Sequence, residues 1–203
     1  MDETKASNRV QLCGVMAGRP AFSHESRGER FFTFPLEIER LSGTTDTIHI
    51  ILRESLLAGA EAEAAEKLLV MGELRSYNNR SGEGPRLVIT VFARELCLAD
   101  GPDENHVWLT GTLCKAPNLR TTPMGRDICD LMLAVNRHYG RSDYLPCITW
   151  GTRAMEASDW QVGDRVSLTG RIQSRRYIKL IDGAQVEKTA FEVSVTDIFK
   201  VPD

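Results

Sequence analysis

Apolar and polar residues alternate along most of this chain, and a period of two marks a strand with one buried face. In the second half Val107, Leu109, Gly111 and Leu113 fall on one side, followed by Leu131, Leu133 and Val135, then Val166, Leu168, Gly170 and Ile172, then Phe191, Val193 and Val195. The first half matches this with Val10, Leu12 and Gly14, then Phe34, Leu36 and Ile38, then Val70, Gly72 and Leu74, then Val88, Thr90 and Phe92. A helical period interrupts the strands once in each half. Leu57, Ala60, Ala64 and Leu68 stripe a helix over Glu54 to Leu69, and a shorter helix runs from about Arg153 to Gln161, with Gly163 as its stop. Three strands, a helix and two strands predict an all-β fold of two tandem OB-folds, each a five-stranded Greek-key barrel with one helix between strands 3 and 4. Glycine inside strands 1 and 4 suits a tightly coiled barrel.

The two halves are copies. Asn8-Arg-Val-Gln-Leu-Cys-Gly14, Pro20, Gly28 and Arg40 return 97 positions later as Asn105-His-Val-Trp-Leu-Thr-Gly111, Pro117, Gly125 and Arg137. A fixed offset through an apolar, Gly and Pro register means one folding unit used twice. Ala99-Asp-Gly-Pro-Asp-Glu104 breaks any regular element between them, so the expected domains are 1–100 and 101–203. Asn78 to Pro85 and Asp182-Gly183 are read as the loops joining the last two strands of each copy, the second as a tight hairpin turn.

Charge separates the copies. The chain carries a net −3, but residues 1–104 hold 12 Lys and Arg against 17 Asp and Glu, while residues 105–203 hold 13 against 11. An anionic partner is expected to prefer the second copy. The five cysteines sit singly in apolar runs without metal or redox spacing and read as buried small hydrophobes in a reducing compartment. The chain starts without an apolar leader and holds no run near the ~20 residues that span a bilayer, so a cytoplasmic, nucleoid-associated protein off the membrane is expected. His24, His49, His106 and His138 show no metal spacing, and no phosphate loop or Ser/His/Asp set assembles. The expectation is a protein without metal, cofactor or catalytic activity.

Aromatic residues follow the charge. All three tryptophans (Trp108, Trp150, Trp160) and three of the four tyrosines (Tyr139, Tyr144, Tyr177) lie in the second copy. Along Tyr144-Leu-Pro-Cys-Ile-Thr-Trp150, alternation puts Tyr144, Pro146, Ile148 and Trp150 on one side, with the two rings roughly 20 Å apart. Arg120, Arg126, Arg137, Arg141, Arg171, Arg175 and Arg176 are interleaved with these rings. Rings that stack on bases beside guanidinium groups that follow phosphates are the recipe for sequence-tolerant binding of a single strand. On the residues alone, Tyr144 and Trp150 either do this or fill a protein contact. Trp108 and Trp160 read as packing residues.

Four blocks in the second copy resemble, in order, those of the bacterial single-stranded DNA-binding protein family. They are Asn105 through Gly125, Leu133-Ala-Val-Asn-Arg137, Asp143-Tyr-Leu-Pro-Cys-Ile-Thr-Trp-Gly151 and Gly170-Arg-Ile-Gln-Ser-Arg-Arg-Tyr177. The resemblance implies stacking by Tyr139, Tyr144, Trp150 and Tyr177, phosphate contacts around Arg120, Arg137, Arg171 and Arg175, and single-stranded DNA as the partner in replication, recombination or repair. Family members assemble as dimers of dimers, so a chain with two copies is expected as a homodimer of four OB-folds. The first copy resembles the family only through its opening and Gly72-Glu-Leu-Arg-Ser76. It has Thr47 and Arg53 in place of Tyr144 and Trp150, which implies a structural or dimerising role. The family's acidic tail has no counterpart after Phe199-Lys-Val-Pro-Asp203, and the alternative is a tailless accessory protein that works through replication or primosome proteins.

Overall fold

A computed structural model of the chain describes residues 7–60, 66–79, 86–137, 140–181 and 184–202. Contacts gather the chain into two compact units that interleave along the sequence. One comprises Arg9–Arg75 and Ile89–His106, the other Met1–Asn8, Ser76–Val88 and Val107–Asp203. An expected single cut at residues 100 and 101 does not include the crossings at Arg75/Ser76 and Val88/Ile89.

The N-terminal unit is built on β1 (Asn8–Met16), β2 (Ala21–Ser26), β3 (Glu29–Glu39), β4 (Thr45–Arg53), α1 (Glu54–Ala60), β5 (Lys67–Asn78) and β6 (Leu87–Leu98). The C-terminal unit is built on β7 (Glu104–Leu113), β8 (Asn118–Thr121), β9 (Asp127–Asn136), β10 (Ser142–Trp150), α2 (Thr152–Ser158), β11 (Arg165–Ile181) and β12 (Ala184–Lys200). In each, five antiparallel and parallel pairings close a barrel. The C-terminal ring runs β7-β11-β12-β10-β9, closed where Leu113 meets Leu133, with one parallel contact at Cys147↔Val193. The N-terminal ring runs β1-β5-β6-β4-β3, closed at Met16↔Leu36, with its parallel contact at Ile50↔Val91. With the helix between the third and fourth barrel strands, both units are OB-folds.

The four strand glycines make this closure possible. A Cβ on Gly170 would lie 2.4 Å from the Ser194 carbonyl oxygen, and one on Gly111 2.6 Å from that of Ala134. Crossing backbones come too close at these corners for any side chain. The barrels fill with the apolar residues that alternation assigns inward, Leu109, Leu133, Leu168 and Val193 among them, all at most 2% exposed.

Several expectations are corrected. Each barrel has a sixth, added strand, β2 or β8, every residue of which is exposed, so no apolar periodicity announces it. The β2–β3 hairpin turns on Arg27 (φ 55°) and Gly28 (φ 76°), the paired positive φ of a two-residue type I′ turn. The first helix does not run to Leu69, because β5 already begins at Lys67. Leu68 and Val70 instead alternate inward on β5, and tertiary burial outweighs helix propensity there. The second helix ends at Ser158 with Asp159 as its cap, and Gly163 (φ 100°) serves a later turn. On β6 the inward set is Ile89, Val91 and Ala93, and Phe92 stands half-buried on the other face. This register buries the Thr90 hydroxyl without a hydrogen-bond partner among the described residues. Cys97 is exposed, whereas Cys13, Cys129 and Cys147 are buried. The Asp182-Gly183 turn, residues 80–85 of the first loop and residues 61–65 of the expected helix lie outside the described residues.

Candidate nucleic-acid interface

Strand β10 carries the predicted ring row on its outer face. Tyr144 is 51% and Trp150 39% exposed, Pro146 is half-buried, and Leu145, Cys147 and Thr149 between them point into the barrel. Ile148 departs from the expected row. It is buried beside the β12 contact, at Ile148↔Ser194, so the two rings are separated by a covered step. Register places Tyr144 beside Ala134, Pro146 beside Met132 and Trp150 beside Ile128.

A groove of about 500 Å³ opens on this outer face, with Pro146 and Met132 in its floor and Arg120, Asp130, Arg175 and Glu192 among its walls. Arg120 comes from the added strand β8 and Arg175 from β11, so the fold brings together two arginines that lie 55 residues apart in sequence. Both already have anionic partners. Arg120 Nε and Nη2 donate to the Asp130 carboxylate at 2.6 and 3.1 Å, and this pairing raises the Arg120 pKa further above its ordinary value. Arg175 Nε donates to Glu192 at 3.3 Å, and Gln173 Nε2 donates to the other Glu192 oxygen at 2.9 Å.

Two residues beyond Arg175, on the same strand face, Tyr177 is half-buried, with the Arg175 guanidinium 5.7 Å from its ring centre. Arg176 points to the other face and lies 3.7 Å from Glu187. Arg171 is exposed on β11, Arg126 in the β8–β9 turn and Arg141 at the start of β10. None of these three has an ion pair among the described residues. Tyr139 lies outside the described residues.

Arg137 is committed elsewhere. It forks onto Asp143, with Nε to Oδ2 at 2.7 Å and Nη2 to Oδ1, and donates to the Ser76 carbonyl at 3.0 Å. Asp143 is fully buried and also accepts the Ser76 N–H at 2.5 Å, while the Tyr144 N–H donates to the Ser76 hydroxyl at 2.8 Å. Ser76, near the end of β5, clusters with the C-terminal unit, as do the other three residues. The network ties Arg137 to the backbone beside Tyr144.

Comparison with known proteins places this segment. The model of the Single-strand binding protein family matches residues 104–199. Single-stranded DNA-binding protein B of Bacillus subtilis is 38% identical over 80 residues, covering 36% of this chain and 71% of that protein. The chain belongs to the single-strand binding protein family. Single-stranded DNA-binding protein 1 of Lactococcus lactis is 31% identical over 104 residues, 48% of this chain and 67% of that protein. The chain spans about half the length of many curated relatives, 58% for protein 3 of Streptococcus agalactiae and 50% for protein 2 of Listeria innocua. The wild-type single-stranded DNA binding protein from Thermus aquaticus shares the fold over 97% of this chain and 93% of that one, with a TM-score of 0.77 at 22% identity.

The corresponding face of the N-terminal unit is different. Arg53, where the C-terminal copy has Trp150, lies 5.8 Å from the Phe92 ring centre, and Arg94 lies 4.8 Å from it. Phe31 stacks on His24 at 4.7 Å. Rings are present, but guanidinium groups cover Phe92. Three features of the C-terminal face do not emerge from the sequence pattern: Asp130, Glu192 and the scaffold role of Arg137. The last has a signal, since Arg40 and Asp46 stand 97 positions before Arg137 and Asp143 and form the same fork, at 2.6 and 2.5 Å, on a fully buried carboxylate.

Proposed function

We propose that this protein binds single-stranded DNA without sequence preference, through the C-terminal unit. The observation that supports this most is the open groove between Arg120 and Arg175, flanked on one sheet face by the exposed rings of Tyr144 and Trp150, inside the segment that matches the family. Bases stack on Tyr144, Trp150 and Tyr177, and on Tyr139. Arg120, Arg126, Arg141, Arg171, Arg175 and Arg176 track the phosphates, while Arg137 holds the Tyr144 strand in place. Stacking needs no catalyst, so the protein is a binding protein of replication, recombination or repair, acting in the cytoplasm at the nucleoid. The N-terminal unit serves as a partner barrel, and two chains make a homodimer of four OB-folds.

The test is a titration of labelled oligo-dT by anisotropy with Tyr144→Ala and Trp150→Ala. Each stacked base contributes about 1–3 kcal/mol, so each variant is expected to bind roughly 5- to 150-fold more weakly. Affinity and salt slope unchanged in both would overturn the proposed surface. Light scattering with and without oligo-dT checks the assembly, and a monomeric mass would remove the homodimer.

A further inference from the structure

The groove holds its own anions. Of the five charged side chains that line it, Lys115, Arg120 and Arg175 are positive and Asp130 and Glu192 negative. Asp130 sits on the Arg120 fork through both Nε and Nη2, and Glu192 meets Arg175 through Nε alone. Guanidinium groups take carboxylate and phosphate in the same planar, two-pronged geometry, so Asp130 occupies the position a phosphodiester would take on Arg120, and Glu192 takes up one donor of Arg175.

The two pairs differ in how firmly they are held. Glu192 is buried, with a side chain 9% exposed against 51% for Arg175, and Gln173 anchors its second oxygen. Asp130 is 39% exposed and Arg120 42%, with the ion pair open to water. An exposed pair of this kind is worth little and exchanges readily.

We propose that Asp130 and Glu192 are built-in competitors for the DNA backbone, which cancel the charge of Arg120 and Arg175 and leave the rings to supply most of the binding. The ligand class that follows is a flexible single strand read through its bases, bound with a shallow dependence on salt. Strands without bases should bind poorly. This deepens the reading above and rests on it.

The experiment compares the full chain with Asp130→Asn, Glu192→Gln and the double variant Arg120→Ala/Asp130→Asn, titrated with labelled oligo-dT from about 50 to 200 mM salt. Freeing Arg120 adds one unpaired cation about 4 Å from a phosphate, which predicts roughly fivefold tighter binding for D130N at low salt. The log–log salt slope should steepen by about 0.7, the single-strand value for one more neutralised phosphate. In the double variant the added steepening and the tighter binding should both disappear, since each runs through the freed Arg120. E192Q poses the same question at Arg175 and does not depend on D130N folding; circular dichroism confirms the fold of each. Unchanged slopes in the folded variants, or weaker binding by D130N, would overturn the competitor role and leave the DNA reading standing. Failure of the unmodified chain to bind oligo-dT would instead remove the reading beneath it.

Discussion

At the scale of single residues, identity matters most where nothing protrudes. A methyl group on Gly170 would meet the Ser194 carbonyl oxygen at 2.4 Å, and that backbone cannot move without opening the β11–β12 ladder. Gly170→Ala is therefore expected to cost about 3 kcal/mol, the upper end for overpacking, read as a lower urea midpoint. Arg137→Ala removes one half of a pair whose other half, Asp143, is fully buried. The stranded carboxylate predicts a loss of about 3–5 kcal/mol. Chemical denaturation of R137A checks it, with a rise in Tyr144 mobility expected from the lost Ser76 network. These two positions also show how legible the chain is at this scale. Gly170 is readable because glycine weakens a strand interior and persists there where another backbone crosses too closely for a side chain. Arg137 is expected at a phosphate from its charge and from the family resemblance, while the acid six residues later, repeated in both copies, gives it a buried ion-pair partner.

Elements are legible to the extent that burial drives them. Nine of the ten barrel strands are read from alternation, with β4 entering only as the counterpart of β10, and alternation assigns faces correctly except on β10, where Ile148 is buried rather than outward, and on β6, where Ile89, Val91 and Ala93 face inward in place of Val88, Thr90 and Phe92. Both registers of that strand offer apolar residues, so period alone cannot choose between its faces. The added strands β2 and β8 carry no such pattern and leave no trace in the sequence. Composition overextends α1, because Ala and Glu favour helix locally while Leu68 and Val70 gain more by facing the barrel core. The β2–β3 hairpin allows an element-scale prediction. Arg27 occupies a left-handed position (φ 55°) ahead of Gly28, a conformation that costs most L residues roughly 1–2 kcal/mol and Asn much less. Arg27→Asn should raise the urea midpoint by about 0.5–1 kcal/mol of stability, and Arg27→Val should lower it.

For the molecule as a whole, each unit contains a carboxylate held below its ordinary pKa of 3.8. Burial pushes Asp103 up, but the Glu39 N–H at 2.6 Å and the Lys67 ammonium at 2.7 Å outweigh it and bring the net shift down. Asp164 is lowered by the Gln161 N–H and by Lys200. A carboxyl depressed in the folded state adds stability above its unfolded pKa and loses it as pH falls through the folded value. The expected stability profile is flat down to about pH 4 and declines below it. Asp103→Asn should flatten part of that acid limb, measured as thermal midpoint against pH; an unchanged limb would assign it to other groups.

Because Trp108 and Trp160 are half-buried and, of the three tryptophans, Trp150 alone is exposed, the chain comes with an optical label on the outer face of β10. Iodide or acrylamide will dim that indole before the other two. The N-terminal half lacks tryptophan altogether and stays dark, so any change in indole emission reports on the C-terminal barrel alone.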